Sequence, residues 1–137
     1  SVAGFQACKQ KNKADSHNSK NSLNWDGIYV GTIPCDDCAG IEVIIILGDD
    51  NTYSMSYKYL GKENSEDGYA NFSGSFAWNK DGNTVIFSDK TRPHYFKVGE
   101  NTLTQLDKNG KPITGKLAGM YVLTKTESLD DGHNSPH

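Results

Sequence analysis

Apolar and polar residues alternate with a period of two along most of the chain between residues 23 and 125. Eight segments show this pattern or a short apolar run, at residues 25–33, 41–47, 53–59, 72–78, 85–87, 94–98, 102–106 and 117–123. Alternation of this kind places one set of side chains on each face of a β-strand. No segment has the apolar spacing of an amphipathic helix. The pattern therefore predicts an all-β domain of about eight strands.

Turn-forming residues separate these segments, which fixes how the strands are joined. Gly48–Asn51, Lys80–Asn83, Gly99–Asn101 and Lys108–Lys111 are rich in Asp, Asn and Gly, as hairpin turns are. Strands joined by tight turns run antiparallel to their neighbours in the chain, and some 100 residues are enough to close such a meander on itself. We therefore predict a small antiparallel up-and-down β-barrel.

In an up-and-down barrel, alternate connections lie at opposite rims. The connections at 34–40, 60–68, 89–93 and 108–116 are then at one rim, and those at 48–51, 79–83 and 99–101 at the other. The first rim has the longer connections, and functional groups concentrate on longer loops. The first rim is therefore the predicted place for a functional site.

Two sets of apolar residues each allow two interpretations. Ile44–Ile46 is apolar on both faces of its strand, so either something covers the outer face or that face contacts a partner protein or a second copy. The eight aromatic side chains of the predicted strands form the second set. They either fill the barrel interior or line a cavity for a small apolar ligand, as in a carrier protein. These rings belong to Trp25, Tyr29, Tyr53, Phe72, Phe76, Trp78, Phe87 and Phe96. Met55 and Met120 lie on alternating patterns and are predicted to pack in the core.

Both ends of the chain are polar and define the domain boundaries. Residues 1–22 are predicted to be the remnant of a lipoprotein signal followed by a polar tether, residues 23–125 the barrel, and residues 126–137 a disordered tail. The formal net charge is −3 and the isoelectric point is about 5.7, which argues against a nucleic-acid partner. No apolar run reaches the roughly 18–20 residues that a membrane-spanning helix needs.

Cys8 is the predicted site of membrane attachment. It follows the small and apolar residues Ser1–Ala7 and precedes the lysine-containing polar stretch Lys9–Ser22. Small residues before a cysteine resemble the end of a bacterial lipoprotein signal, in which the cysteine becomes lipidated. The alternative is a free cysteine on a frayed end.

Cys35 and Cys38 form the chemical signature of the predicted functional rim. They stand two residues apart in Pro34-Cys35-Asp36-Asp37-Cys38-Ala39-Gly40, and such a pair can form a disulfide, bind a soft metal or exchange thiols with disulfides. Thiol exchange is disfavoured, because the pair does not open a helix and two acidic residues separate the sulfurs. A disulfide and a Cu(I) site of the reduced thiols both remain open.

His94 is the one body histidine that could complete such a metal site. His17, His133 and His137 lie in the polar ends, whereas His94 is predicted to start the sixth strand at the cysteine rim. Zinc would need four ligands and is hard to satisfy here, but Cu(I) needs only two or three soft ones. The alternative is an ordinary surface or core histidine. The sequence shows no Ser/His/Asp constellation and no phosphate-binding loop, so it does not predict an enzyme.

The first strand and the cysteine loop together resemble a known family. Trp25-Asp26-Gly27-Ile28-Tyr29-Val30-Gly31, followed by Ile33-Pro34-Cys35-Asp36-Asp37-Cys38-Ala39-Gly40-Ile41, is similar to the N-terminal domain of the NlpE-type copper-resistance lipoproteins. Further similarity lies at Thr52-Tyr53, Tyr59-Leu60-Gly61, Gly74–Trp78 and Leu106-Asp107 with Gly110. The resemblance spans residues 25–123.

This resemblance implies a lipocalin-like β-barrel with a role in the bacterial envelope. The implied protein is anchored by lipid, most simply to the outer membrane facing the periplasm, and takes part in copper homeostasis or envelope-stress sensing. Some members of the family carry a second, C-terminal domain with its own cysteine pair. No cysteine follows Cys38 in this sequence, so signalling through such a pair is not expected.

Overall fold

The computed structural model describes residue 20 and residues 24–127. This part of the chain contains eight strands and two short 3-10 helices, Glu66–Gly68 and Ala118–Tyr121. The strands are β1 (Gly27–Ile33), β2 (Ile41–Leu47), β3 (Thr52–Tyr59), β4 (Tyr69–Trp78), β5 (Thr84–Phe87), β6 (Tyr95–Gly99), β7 (Thr102–Gln105) and β8 (Val122–Glu127). Cys8 and residues 128–137 lie outside the described residues.

The eight strands form a closed antiparallel barrel, as the alternation and the turns predict. Each strand pairs with the next one in the chain, and β8 pairs with β1 to close the sheet. In the closing pair Val30 lies opposite Thr124 and Tyr29 opposite Lys125, and the register shifts between Tyr29 and Ile28. Such a shift bends and twists the strand that contains it, which helps a small barrel to close.

The barrel interior is an apolar core built from one face of every strand. On β2, Val43, Ile45 and Leu47 are almost fully buried, whereas Ile44 between them is 36% exposed. Full burial of each aliphatic side chain stabilises the fold by about 1.5–3 kcal/mol. The outer face of β2 around Ile44 is partly exposed, and its use as a contact surface for a partner or a second copy stays a prediction.

Aromatic rings fill much of this interior and pack against one another. The Phe87 ring lies between two others, with centroids 3.8 Å from Tyr53 and 4.9 Å from Phe96. Trp25 contacts both Phe76 and Trp78 edge to face. The packing agrees with the interpretation of these rings as core, because each ring uses its faces or edges on another ring.

The Tyr29 hydroxyl fixes the segment that leads into β1. It donates a hydrogen bond of 2.6 Å to the backbone carbonyl of Trp25. Burial, aided by the negative charge of nearby Asp26, raises the pKa of Tyr29 to about 12. The phenol therefore remains a protonated donor at all physiological pH values.

The last strand is where the sequence prediction is wrong. The predicted strand 117–123 is replaced by a loop and the 3-10 helix Ala118–Tyr121, and β8 starts at Val122 and continues to Glu127. Leu117 is 50% and Met120 46% exposed, so Met120 is not a core residue, whereas Met55 is 1% exposed and is one. The hydrogen bonds from the Ala118 N–H to the Gly115 carbonyl and from the Met120 N–H to the Leu117 carbonyl form turns, so this segment does not pair as a strand.

The connections divide between two rims as predicted. The loop rim consists of residues 34–40, 60–68, 88–94 and 106–121, and the turn rim of residues 48–51, 79–83 and 100–101. The loop rim has the longer connections and carries both rim cysteines and His94. Within the described residues, no helix is long and apolar enough to cross a membrane.

Candidate functional site

The cysteine loop, residues 34–40, joins β1 to β2 at the loop rim. Its C-terminal end is held by the start of the neighbouring 60–68 connection: the Leu60 N–H donates to the carbonyl of Gly40 at 2.9 Å, and the Ala39 N–H donates to the carbonyl of Leu60 at 3.4 Å. Gly40 has a φ of 156°, a value that side-chain-bearing residues rarely adopt. The C-terminal end of the loop is therefore held by bonds that do not involve its sulfurs.

Cys35 and Cys38 form a disulfide in this loop, with their Cα atoms 5.4 Å apart. The Cys38 sulfur lies 3.3 Å from the carbonyl oxygen of Gly40. This is one of the two states that the sequence left open for the pair. Closing so short a loop restricts the unfolded chain and is worth about 2 kcal/mol in the chain-entropy description.

Asp37 is the third potential ligand group beside the sulfurs. Its Oδ1 lies 3.5 Å from the Cys35 sulfur, and potential ligand atoms of Cys35, Asp37 and Cys38 all lie within 4.8 Å of one another. Among the described residues these three form the one group of at least three His, Cys, Asp or Glu side chains at such spacing. The sequence singled out the sulfurs but not the carboxylate, since position along the chain does not tell which way Asp37 points.

A lysine from the adjacent connection faces this carboxylate. Lys62 Nζ lies 3.5 Å from Asp37 Oδ2, with the Asp37 side chain 80% and the Lys62 side chain 39% exposed. An ion pair this exposed contributes little to stability. Its effect is local, because it places a positive charge beside an otherwise acidic loop.

The other acidic residues of the 34–40 and 60–68 connections do not join the cysteine group. Glu63 accepts a hydrogen bond from the Gly61 N–H at 2.9 Å, and Glu66 and Asp67 lie exposed in the first 3-10 helix. Asp36 is exposed within the cysteine loop. These groups therefore act as solvated or turn-stabilising carboxylates.

His94 lies at the same rim but outside the cysteine group. Its Nδ1 is 2.9 Å from the carbonyl oxygen of Arg92, and its ring packs on Tyr95 with the centroids 4.6 Å apart. Placement at the loop rim agrees with the sequence, although β6 starts at Tyr95 rather than at His94. The structure thus brings Asp37, and not His94, to the two sulfurs.

Comparison with protein families gives a match over most of the barrel. The family described as "NlpE N-terminal domain" matches residues 29–116. Lipoprotein NlpE of Escherichia coli K12 is 31% identical over 99 residues, which is 72% of this chain and 40% of that protein. The chain thus spans about two fifths of the length of this curated relative.

Two solved structures resemble the barrel. One is named "putative lipoprotein from Shewanella oneidensis", with a TM-score of 0.69, 38% identity and coverage of 80% of this chain and 96% of the other. The second is the Cpx pathway activator NlpE from Escherichia coli, with a TM-score of 0.56, 30% identity and coverage of 66% and 46%. In both cases the similarity of fold is accompanied by a sequence identity of at least 30%.

Proposed function

Because the chain belongs to the NlpE N-terminal domain family, we propose that it is a lipoprotein domain that serves copper homeostasis in the bacterial envelope. In this proposal the cysteine loop binds Cu(I) in its reduced form. The role is one of binding and not of catalysis. The single observation that carries it is the grouping of Cys35, Asp37 and Cys38 within 4.8 Å at the loop rim.

The donor set fits a soft monovalent metal better than a harder one. Two thiolates are the ligands that Cu(I) selects, and two or three ligands complete its coordination. Zinc would need a fourth ligand, and the described residues offer only the three grouped here. The Asp37 carboxylate adds negative charge next to the metal position, which attracts a cation.

Binding requires the disulfide to be opened first. A disulfide sulfur carries no thiolate charge, so a dithiol reductant must supply two electrons and two protons, and is itself oxidised to a disulfide. Each resulting thiol gives up its proton when the metal binds. The C-terminal end of the loop, next to Cys38, is tied to Leu60 through hydrogen bonds that involve no sulfur, and only two residues separate the cysteines, so both thiols can reach one metal ion.

The proposal includes membrane attachment through a lipid on Cys8, with the barrel facing the periplasm from the outer membrane. Its support is the sequence around Cys8 together with the names of the relatives, which are lipoproteins. A lipid chain and a polar tether would leave the loop rim accessible from solution. Partitioning of the full-length protein into detergent that is unchanged by Cys8→Ser would contradict this attachment.

A role in envelope-stress sensing is the second element of the proposal. The Escherichia coli relative is named a Cpx pathway activator. For this chain, a signalling partner would distinguish the oxidised, the reduced and the metal-bound cysteine loop. The loop suits such a role because it is exposed and its charges change with each state.

The test is a titration of Cu(I) into the reduced protein, in competition with a chromophoric Cu(I) chelator. We expect one Cu(I) per chain, with binding lost in both Cys35→Ser and Cys38→Ser. Asp37→Asn should weaken it, whereas the matched variant Asp81→Asn at the turn rim should not. Stoichiometric binding that survives the loss of both thiols would contradict the proposed site, as would binding no tighter than that of ordinary cellular thiols.

A further inference from the structure

The barrel is closed by only three residue pairs between β4 and β5. β4 pairs with β3 along Tyr69–Ser75, but with β5 only along Phe76–Trp78. β5 ends at Phe87, and the chain continues as the 88–94 connection. The stretch Tyr69–Ser73, called the β4 edge here, therefore has a strand partner on one side only.

The backbone groups of β4 alternate between its two sides. The Phe76 N–H donates to the carbonyl of Asn51 next to β3, so the even-numbered residues of β4 face β3. Ser75 faces the other way: its N–H donates to Ser88 Oγ at 3.3 Å, and its carbonyl accepts from the Ser88 N–H at 2.9 Å. The remaining odd-numbered residues also face this second side, and their backbone groups make no hydrogen bond there to any described residue. They are Tyr69, Asn71 and Ser73.

The β4 edge lacks the features that usually prevent the addition of a further strand. Charged side chains, proline and bulges protect exposed strand edges in natural sheets. The strand Tyr69–Trp78 contains no charged residue and no proline, and its pairing with β3 runs without a register shift. The side chains of Tyr69, Asn71 and Ser73 are exposed. This part of β4 is therefore accessible to another chain.

A row of alternating N–H and C=O groups is complementary to the backbone of an extended polypeptide. A lipid headgroup or a small anion would satisfy one group of the row and leave the others. A single added strand needs a width of only about 4.8 Å. A second copy would bring its own β3 and its own 88–94 connection to the same place, because both flank its β4. A single segment of a partner protein is therefore the better occupant.

Charges at the two ends of the β4 edge favour one direction for such a segment. Lys90 lies with Ser75 at the lining of a cleft of about 310 Å³ at the C-terminal end. Lys90 is exposed and makes no ion pair within the described part of the chain. Glu66 and Asp67, both exposed, directly precede the N-terminal end. An antiparallel segment with an acidic side chain near its start and a basic one near its end matches both charges.

We propose that the β4 edge binds an extended segment of a partner protein as an additional antiparallel strand. The segment pairs with the backbone groups of Asn71 and Ser73 and places its acidic side chain towards Lys90. Its basic side chain faces Glu66 and Asp67. No sulfur takes part in this interaction, so it is independent of the copper site proposed above.

The test measures amide hydrogen exchange in ¹⁵N-labelled protein, with the peptide acetyl-Glu-Thr-Val-Thr-Val-Thr-Lys-amide as the probe. In the free protein, the amides of Asn71 and Ser73 should exchange much faster than that of Phe72, which faces β3. At about nine-tenths saturation the probe should slow the two fast amides about tenfold, because only the free protein exchanges. Equal protection of the three amides in the free protein, or no slowing by millimolar probe, would overturn the proposal.

Modified probes distinguish backbone pairing from contacts of the side chains. One probe is N-methylated at every Thr, and the other at every Val and at Lys, so each loses the N–H groups on one edge of the strand. The probe that has lost the edge facing β4 should not bind, whereas the other should bind. A probe with Glu and Lys interchanged should bind more weakly. Equal binding of the two N-methylated probes would contradict strand addition, and an unaffected interchanged probe would contradict the assigned direction.

Two pairs of variants test the protein side of the interaction. Ser73→Pro removes an edge N–H that has no partner in the described chain, so it should abolish probe binding with little change in Tm. Ser73→Ala keeps this N–H and should bind like the wild type. Lys90→Glu should weaken binding severalfold, and the matched Lys80→Glu at the turn rim should not.

Several results with these proteins would contradict the assignment. Probe binding retained in Ser73→Pro would exclude pairing at this edge, and a large loss of Tm would show that the Ser73 N–H already has a partner within the fold. Equal effects of the two lysine variants would exclude the role of Lys90. Protection of Asn71 that rises with protein concentration, without any probe, would assign the edge to a second copy of this chain.

Discussion

The two rims of the barrel share one core but differ in how they are built. At the turn rim the chain reverses over a few residues, and Asn51, Gly82 and Asn101 adopt the left-handed conformation that tight reversals require, with φ of 66°, 71° and 60°. At the loop rim, longer connections carry a disulfide and an ion pair. The turn rim thus serves to join strands, whereas the chemically reactive groups described above are concentrated on the loop rim.

A matched pair of glycine variants gives the largest expected difference between the rims. A Cβ at Gly68 would overlap the backbone carbonyl of Lys62, so Gly68→Ala must displace the 60–68 connection and should cost up to about 3 kcal/mol. Gly82→Ala places a side chain at positive φ in the turn rim and should cost about 1–2 kcal/mol. Urea denaturation measures both values.

The pair also separates strain at one rim from a general loss of stability. Gly68→Ala should shift the amide NMR signals of Cys35 and Cys38, because Leu60 and Lys62 hold the cysteine loop. Gly82→Ala should leave those signals in place. If both variants moved the cysteine signals equally, the rims would not be independent.

Opening the disulfide is expected to have the next largest effect. Reduction should lower the free energy of unfolding by about 2 kcal/mol, the chain-entropy value for so short a loop. The double variant Cys35→Ser/Cys38→Ser should show the same loss and no further response to reductant. Urea unfolding with and without a dithiol measures this difference in free energy. A reduced protein as stable as the oxidised one would show that the disulfide does not stabilise the fold.

The smallest predicted effect concerns acid and the 88–94 connection. Hydrogen bonds from the Thr91 hydroxyl, the Thr91 N–H and Arg92 lower the pKa of Asp89 from 3.8 to about 2. Because the unfolded state binds the proton more readily, this carboxylate stabilises the fold above pH 3.8, and the contribution is lost as pH falls towards 2. Asp89→Asn should thus be less stable than the wild type at pH 7, and the difference should shrink in that window.

The control for this pH dependence lies at the turn rim. Asp81 makes no side-chain hydrogen bond among the described residues, so Asp81→Asn should track the wild type at every pH. Thermal unfolding between pH 7 and pH 2 provides the comparison. A constant gap between Asp89→Asn and the wild type down to pH 2 would contradict the assignment.

The barrel could be predicted from sequence because its determinants are local. Alternation over Tyr53, Met55 and Tyr57 specifies which face of β3 is buried, and turn residues such as Asp81-Gly82 specify where the chain reverses. Together they imply antiparallel neighbours and hence the two rims. The failure at residues 117–121 has a local cause as well: Leu117 and Met120 look apolar enough for a strand, but hydrogen bonds to the Gly115 and Leu117 carbonyls form turns there.

The site could be predicted only in part, because its determinants are not local. The sequence shows two cysteines in a rim loop, but not that Asp37 turns towards them or that Lys62 arrives from another connection. Such features depend on which loops become neighbours and on the directions of single side chains, neither of which a periodicity encodes.

In the proposed function, the reduced cysteine loop holds copper through both of its sulfurs. Copper K-edge X-ray absorption of the reduced, Cu(I)-loaded protein measures this directly. We predict an edge typical of low-coordinate Cu(I) and two sulfur scatterers, both of which disappear in Cys35→Ser/Cys38→Ser. A spectrum dominated by nitrogen or oxygen scatterers, or one unchanged in the double variant, would contradict the claim.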